Sequence, residues 1–310
     1  MRQACEWPPL VLSLARRCPL PPPGSRVVCA VSGGPDSLAL LALAGASELA
    51  VHVVHVDHGL RPGGAGEAAI VAKACEVAGA TLDVVAARVA PGPDQEARAR
   101  AARYALLPHG VMVGHTADDQ AETVLLNLMR GTGLAGLSGM RPTGGGLRDV
   151  CRPLLGLRRS ETEAVVAELG WPCVRDESNE DLSYRRNQVR HELLPLLKSI
   201  SGRDPVPLLA RMARLVAEDD DLLGTLAATI DASDVRALRE APKPLAMRAL
   251  RTWLRAGEGA EMHPPSLAEL QRVWAVVDGS VKACQLAGGR RLSRSRGRLH
   301  LSPGAASPGV

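Results

Sequence analysis

Residues 26–37 read RVVCAVSGGPDS, and LALLALAGA follows at 38–46. A β-branched run, a Ser-Gly-Gly turn and a helical pattern make an anion site, because glycines let backbone N–H groups approach a phosphate at the positive end of the helix. The loop lacks the second spaced glycine and the lysine of G-x-x-x-x-G-K-[ST], so it is not a Walker A loop. It also lacks the G-x-G-x-x-G spacing of a dinucleotide fingerprint, although Asp57 stands 24 residues beyond Gly33. Asp36 would repel bare phosphates and makes sense with a cation between. Magnesium held by a carboxylate and phosphate oxygens meets that need. Ser32, Gly33, Gly34, Pro35, Asp36 and Ser37 are therefore expected to bind the pyrophosphate end of ATP, with chemistry at the α phosphorus. The plainer alternative is a helix cap made by Ser32 and Asp36.

Outward from that loop, β-branched runs alternate with helical patterns: LAVHVVHV before Glu67–Ala78, TLDVVAA before Gln95–Leu107, GVMVG before Asp118–Met129. This predicts an α/β fold, a doubly wound, Rossmann-like parallel sheet with ligands at the carboxyl ends of its strands. At 310 residues two domains are expected. The stretch SISGRDPVP at 199–207 is punctuated like a linker. The expected organisation is a lead-in over 1–25, a catalytic domain over 26–200, a smaller, mainly helical, basic domain over 205–303 and a disordered tail over 304–310. A helix over Arg185–Leu197 closes the first domain. Helices over Leu208–Ala228, Pro244–Leu254 and Ser266–Val277 and a hairpin over 281–302 build the second. Gly131–Gly146, with seven glycines in sixteen residues, reads as a mobile loop.

The net charge is +4, and residues 1–200 hold 21 basic and 21 acidic side chains, so the whole excess lies beyond residue 200. Arg236–Arg298 carries thirteen basic and five acidic residues, Arg290 and Arg291 among them. A solvated basic face accounts for this, and so does a polyanion partner such as RNA. Seven cysteines without a C-x-x-C pair read as reduced thiols in a cytoplasmic protein. No apolar run approaches the ~20 residues of a membrane span, so no membrane partner is expected. The oligomeric state stays open, a homodimer included.

In HVDHGLR (55–61), strand alternation sends His55 and Asp57 to one face and His58 to the other, poor geometry for zinc. Asp57 and His58 are better placed as polar contacts beside a nucleotide. In GHTADDQAET (114–123), Thr116 or Asp118 can cap a helix whose dipole favours the acids. Alternatively, Gly114, His115, Asp118, Asp119 and Glu122 stand at a strand's carboxyl end facing Asp36. Those carboxylates suit two tasks: sharing magnesium, through Asp36 and Asp118, and taking the proton of an incoming amine. An alkyl ammonium with a pKa near ~10.4 needs such a base. In YRRNQVRHELLP (184–195), Arg186, Arg190 and His191 suit phosphates or a splayed base, or else intrahelical pairing. Arg98, Arg103 and Tyr104 form a further basic helix end.

SGGPDS after a buried strand resembles the pyrophosphatase-loop (PP-loop) family of adenylating enzymes. With HVDHGLR, EARARAARY (96–104), GHTADDQAET, DESN (176–179) and YRRNQVRHELLP in this order, residues 26–195 resemble its tRNA(Ile)-lysidine synthase branch. The resemblance implies a two-step ligase that uses ATP and Mg2+. The C2 oxygen of the wobble cytidine in an isoleucine tRNA with anticodon CAU is adenylated, and free L-lysine then displaces AMP. It further implies that Arg98, Arg103 and Tyr104 approach the substrate site. The alternative, thiolation of a tRNA base, would call for paired cysteines. The basic C-terminal region, Arg290 and Arg291 included, would grip tRNA, although it is shorter than in some relatives.

Overall fold

The computed structural model describes residues 6–57, 64–87, 98, 102, 105–144, 149–174, 180–256 and 265–302. Strand β1 (Arg26–Ala30) runs parallel to β2 (Ala50–Asp57) on one side and to β4 (Val111–Met112) on the other. Strand β3 (Thr81–Ala86) pairs with β2, and β5 (Val150–Cys151) with β4, giving the parallel order β3-β2-β1-β4-β5. Strand order reverses between β1 and β4, so the loops that leave these strands open a crevice at their carboxyl ends.

The helix after the Ser-Gly-Gly loop, α2 (Pro35–Ala46), fixes the layout. Its run Leu38–Ala44 is wholly buried, apolar all round, as a helix enclosed on every side must be. It lies over β1 and β2 and among α1 (Pro9–Ala15), α3 (Gly64–Ala78) and α6 (Arg159–Glu168). This layer packs on Cys29, Val31, Val51 and Val53 of the sheet. The opposite face buries Val54, Leu107, Val111, Val113 and Val150. The helix expected over Gln95–Leu107 lies mostly outside the described residues.

Helix α4 (Ala117–Met129) leaves β4 on schedule. The described part of the glycine-rich segment that follows is not the loose loop expected. It contains α5 (Leu134–Leu137) and is tied down by Gln120, whose amide donates to the carbonyls of Ser138 and Met140 at 3.3 and 3.0 Å. Arg152 holds it further through the carbonyls of Arg141 and Gly144, both at 2.8 Å. The helix expected over Arg185–Leu197 is continuous but irregular: α7 (Arg185–Gln188), a π-helical turn (Val189–Leu193) and α8 (Leu194–Ser201). Pro195 cannot donate to the carbonyl four residues back, and a wider turn absorbs that loss.

The chain divides into two units, 1–217 and 218–310, so the division falls within α9 (Pro205–Ala228), beyond the linker-like stretch at 199–207 where the sequence suggests it. The second unit packs α10 (Val235–Glu240), α11 (Lys243–Ala256) and α12 (Leu267–Asp278) on an antiparallel sheet of β6 (Ala283–Gln285), β7 (Arg291–Ser295) and β8 (Arg298–Ser302). The stretch 281–302, expected as a hairpin, is thus a three-stranded meander. Among the described residues, no helix is long and apolar enough to cross a membrane.

Candidate active site

Gly33 adopts φ +84°, and a β-carbon there would stand 2.9 Å from Val174. Only glycine fits a left-handed residue at so close an approach. Gly34 then caps α2, Pro35 opens it, and the Ser37 hydroxyl donates to the Gly34 carbonyl at 2.9 Å. Ser32 is exposed at the mouth of the loop, and its N–H donates to the Ser37 hydroxyl at 3.1 Å. The α2 amino end is therefore a rigid backbone cradle suited to a phosphate.

The β4–α4 loop rests directly on this cradle. A β-carbon on Gly114 would lie 2.7 Å from the Asp36 carbonyl oxygen and 3.0 Å from the Ser37 nitrogen. The glycine is what permits the contact, and the contact brings the α4 acids beside Asp36. The Thr116 N–H donates to Asp119 at 2.8 Å, fixing that carboxylate in the first turn.

The acids are wrapped by arginines. Asp118 takes both branches of the Arg158 guanidinium at 3.0 Å and the Arg159 N–H at 2.8 Å. Arg158 also pairs with Asp204. Asp119 accepts from Arg159 at 3.0 Å and Arg186 at 2.8 Å. Glu122, with no exposed side chain, is held by Arg186 at 2.6 Å, Arg190 at 2.7 Å and Arg159 at 3.3 Å. Arg159 reaches Asp36 as well, at 3.5 Å, and the Thr162 hydroxyl donates to the other Asp36 oxygen.

Burial pushes the Asp36 carboxyl up to about 6, the Asp119 charge adding to it while Thr162 and Arg159 hold it back. Burial also opposes ionisation of Asp119, but the charges of Arg159, Arg186 and His115 prevail and its pKa lies below the ordinary value. The charge that acts on Asp36 is thus that of Asp119. Asp118, expected to share a metal with Asp36, pairs with Arg158 and with the backbone at the start of α6, while it is Asp119 whose charge acts on Asp36.

Of the other expected residues, Asp57 ends β2, His115 lies beside Asp119, and Arg186, Arg190 and His191 occupy α7 and the π turn. The Arg98 Nε and Nη2 atoms are buried. His58, Arg103, Tyr104 and the DESN motif lie outside the described residues. In the second unit Arg291 is exposed, while Arg290 donates to the Leu254 carbonyl at 3.1 Å and so ties β7 to the end of α11. Arg158, Arg159 and Thr162 were not anticipated. Their stretch RRSETE reads as an ordinary helix start, and only the doubled arginine before a capping pattern hinted otherwise. A pocket of about 430 Å3 lined by Arg26, His52 and Thr81 lies at the opposite, amino ends of the strands.

A phosphate cradle beside buried carboxylates and a cluster of arginines, on a 3-2-1-4-5 parallel sheet, defines a PP-loop nucleotide enzyme. The PP-loop domain family matches residues 13–197. A tRNA(Ile)-lysidine synthase of Nocardia farcinica is 39% identical over 93% of this chain and 95% of its own length. Another, of Gloeobacter violaceus, is 41% identical over 81% and 84%. The chain belongs to the tRNA(Ile)-lysidine synthases, ATP-dependent ligases of the PP-loop family. A solved U34-tRNA thiolase of Methanococcus maripaludis shares the fold, with a TM-score of 0.54 and 16% identity over 67% of this chain and 78% of that one.

Proposed function

We propose that the protein converts the wobble cytidine of an isoleucine tRNA with anticodon CAU to lysidine in the cytoplasm, in two steps at the β1–β4 crevice. The C2 oxygen of the base attacks the α phosphorus of ATP: an O–P bond forms, the α–β bond breaks and pyrophosphate leaves. A pyrimidine carbonyl oxygen departs poorly, and adenylation makes it a phosphate leaving group. The side-chain amine of free lysine then forms the C–N bond at C2, AMP leaves, and the amine gives up its proton.

The observation that carries this reading is that three carboxylates, Asp36, Asp119 and Glu122, converge on one cationic group directly beside the phosphate cradle. Ser32, Gly33, Gly34, Pro35 and Ser37 bind the pyrophosphate end. Asp36, with Asp119 rather than Asp118 as its neighbour, would hold Mg2+, whose hard, oxygen-seeking character fits such donors and would neutralise phosphate charge. Asp119 or Glu122 receives the lysine ammonium and takes its proton. Arg186 and Arg190, whose side chains are 35% and 23% exposed, would turn to phosphates. Arg98, Arg103, Tyr104 and His191 contribute to the tRNA and lysine side, and Asp57, His58, Gly114 and His115 to the nucleotide.

Thiolation is disfavoured by the thiols themselves. A thiolase would call for paired cysteines, and none of the seven stands in a C-x-x-C pair. The test is to incubate the protein with labelled lysine, ATP and tRNA transcripts. Label at the wobble cytidine of the CAU transcript alone supports the proposal; label elsewhere, or none, overturns it.

A further inference from the structure

Arg159 stands where substrates with positive charge have to go. Its three guanidinium nitrogens are divided among three carboxylates from two elements: Nε to Asp36 at 3.5 Å, Nη2 to Asp119 at 3.0 Å and Nη1 to Glu122 at 3.3 Å. Arg159 thus bridges α2 to α4. Arg186 pairs with Asp119 and Glu122, Arg190 pairs with Glu122, and Arg158 is spent on Asp118 and Asp204.

Three carboxylates gathered in a half-closed crevice repel one another unless a cation sits among them. Arg159 is a cation that the chain itself places among all three. A divalent ion or an ammonium group needs the same oxygen lone pairs and is repelled by the same guanidinium, so either can enter only as Arg159 leaves. Arg159 is the first residue of α6, directly after the N-cap, and its side chain is 19% exposed. A polyphosphate held in the cradle beside it would offer an oxygen set that a planar guanidinium matches well.

We propose that Arg159 is the resident cation of the crevice, a positioning residue that holds Asp36, Asp119 and Glu122 in register until Mg2+ and the lysine ammonium replace it, and that it then moves to the phosphate oxygens of ATP. The inference rests on the lysidine-synthase reading above. Its consequence is order: ions and lysine bind the nucleotide-free protein poorly, and nucleotide, by drawing Arg159 away, opens the carboxylates to them.

The test uses Mn2+ as a reporter ion on the full chain without nucleotide, by calorimetry or electron paramagnetic resonance. Arg159→Gln should bind Mn2+ about tenfold more tightly than the wild type, and Arg159→Lys, which keeps the charge, should restore weak binding. Unchanged or weaker binding in the Gln variant overturns the inference. Asp36→Asn placed in the tight-binding Arg159→Gln background separates the two readings: if it leaves Mn2+ binding intact there, the proposed metal role of Asp36 fails, whatever Arg159 does. Should the Gln variant not fold, the wild type decides. Lysine should bind about tenfold more tightly with a non-hydrolysable ATP analogue and Mn2+ present than without them, and equal or weaker binding overturns the inference.

Discussion

Asp36 is a buried carboxylate whose pKa is pushed up to about 6, above the usual 3.8, and two results follow. The first concerns stability. Because the folded pKa lies above the unfolded one, the contribution of Asp36 is fully present below about pH 4 and is lost as pH rises through about 6. Thermal melts of nucleotide-free protein should show Asp36→Asn gaining on the wild type as pH rises from 4 to 7. The second concerns turnover: the same variant should lose tRNA-dependent AMP formation by about a hundredfold or more while still binding tRNA. Glu122 is a different case, fully buried under Arg186 and Arg190, which are 35% and 23% exposed. Glu122→Gln leaves those charges uncompensated and should cost about 2 to 3 kcal/mol in denaturant titrations, discounted because both arginines keep some water. At this scale the acids were legible, since Asp118, Asp119 and Glu122 follow a strand end. Arg158, Arg159 and Thr162 were not, because their role exists only once α6 is packed against α2.

Among the elements, two packed contacts hold the cradle and its helix in place. Gly114→Ala would drive a methyl group into the backbone carbonyl of Asp36, with no flexible atom to yield. The expected outcome is about 1 to 3 kcal/mol of destabilisation and a displaced phosphate cradle, seen as weakened binding of an ATP analogue. Leu40 lies fully buried in the middle of α2, and Leu40→Ala should cost about 2 to 5 kcal/mol, measured by chemical unfolding, with the loop chemistry changed less than the stability. The alternation of apolar runs and helical patterns made β1 to β4 and α2 to α4 readable. It missed β5, two residues long, and α6, whose polar surface hides its period. It also read 131–144 as loose, because hydrogen bonds from Gln120 and Arg152 are invisible in composition.

Across the whole molecule, two units with separate cores share the long helix α9. The basic excess of the second unit proves unequal in use. Arg290 is bound to the Leu254 carbonyl, whereas Arg291 and Arg296 are exposed. Replacing Arg291 and Arg296 together by Ala should weaken tRNA binding and lower the salt slope of its affinity by about 2, with ATP affinity unchanged. Charge counting foresaw a polyanion surface there but could not tell a structural arginine from a free one. The central claim, that the Ser-Gly-Gly loop and Asp36 direct attack to the α phosphorus, is tested most directly with ATP labelled in turn at the α and γ phosphates. In the presence of lysine and isoleucine tRNA bearing CAU, the account predicts labelled AMP and labelled pyrophosphate in equal amounts, both dependent on the tRNA; labelled ADP and inorganic phosphate as the primary products would contradict it.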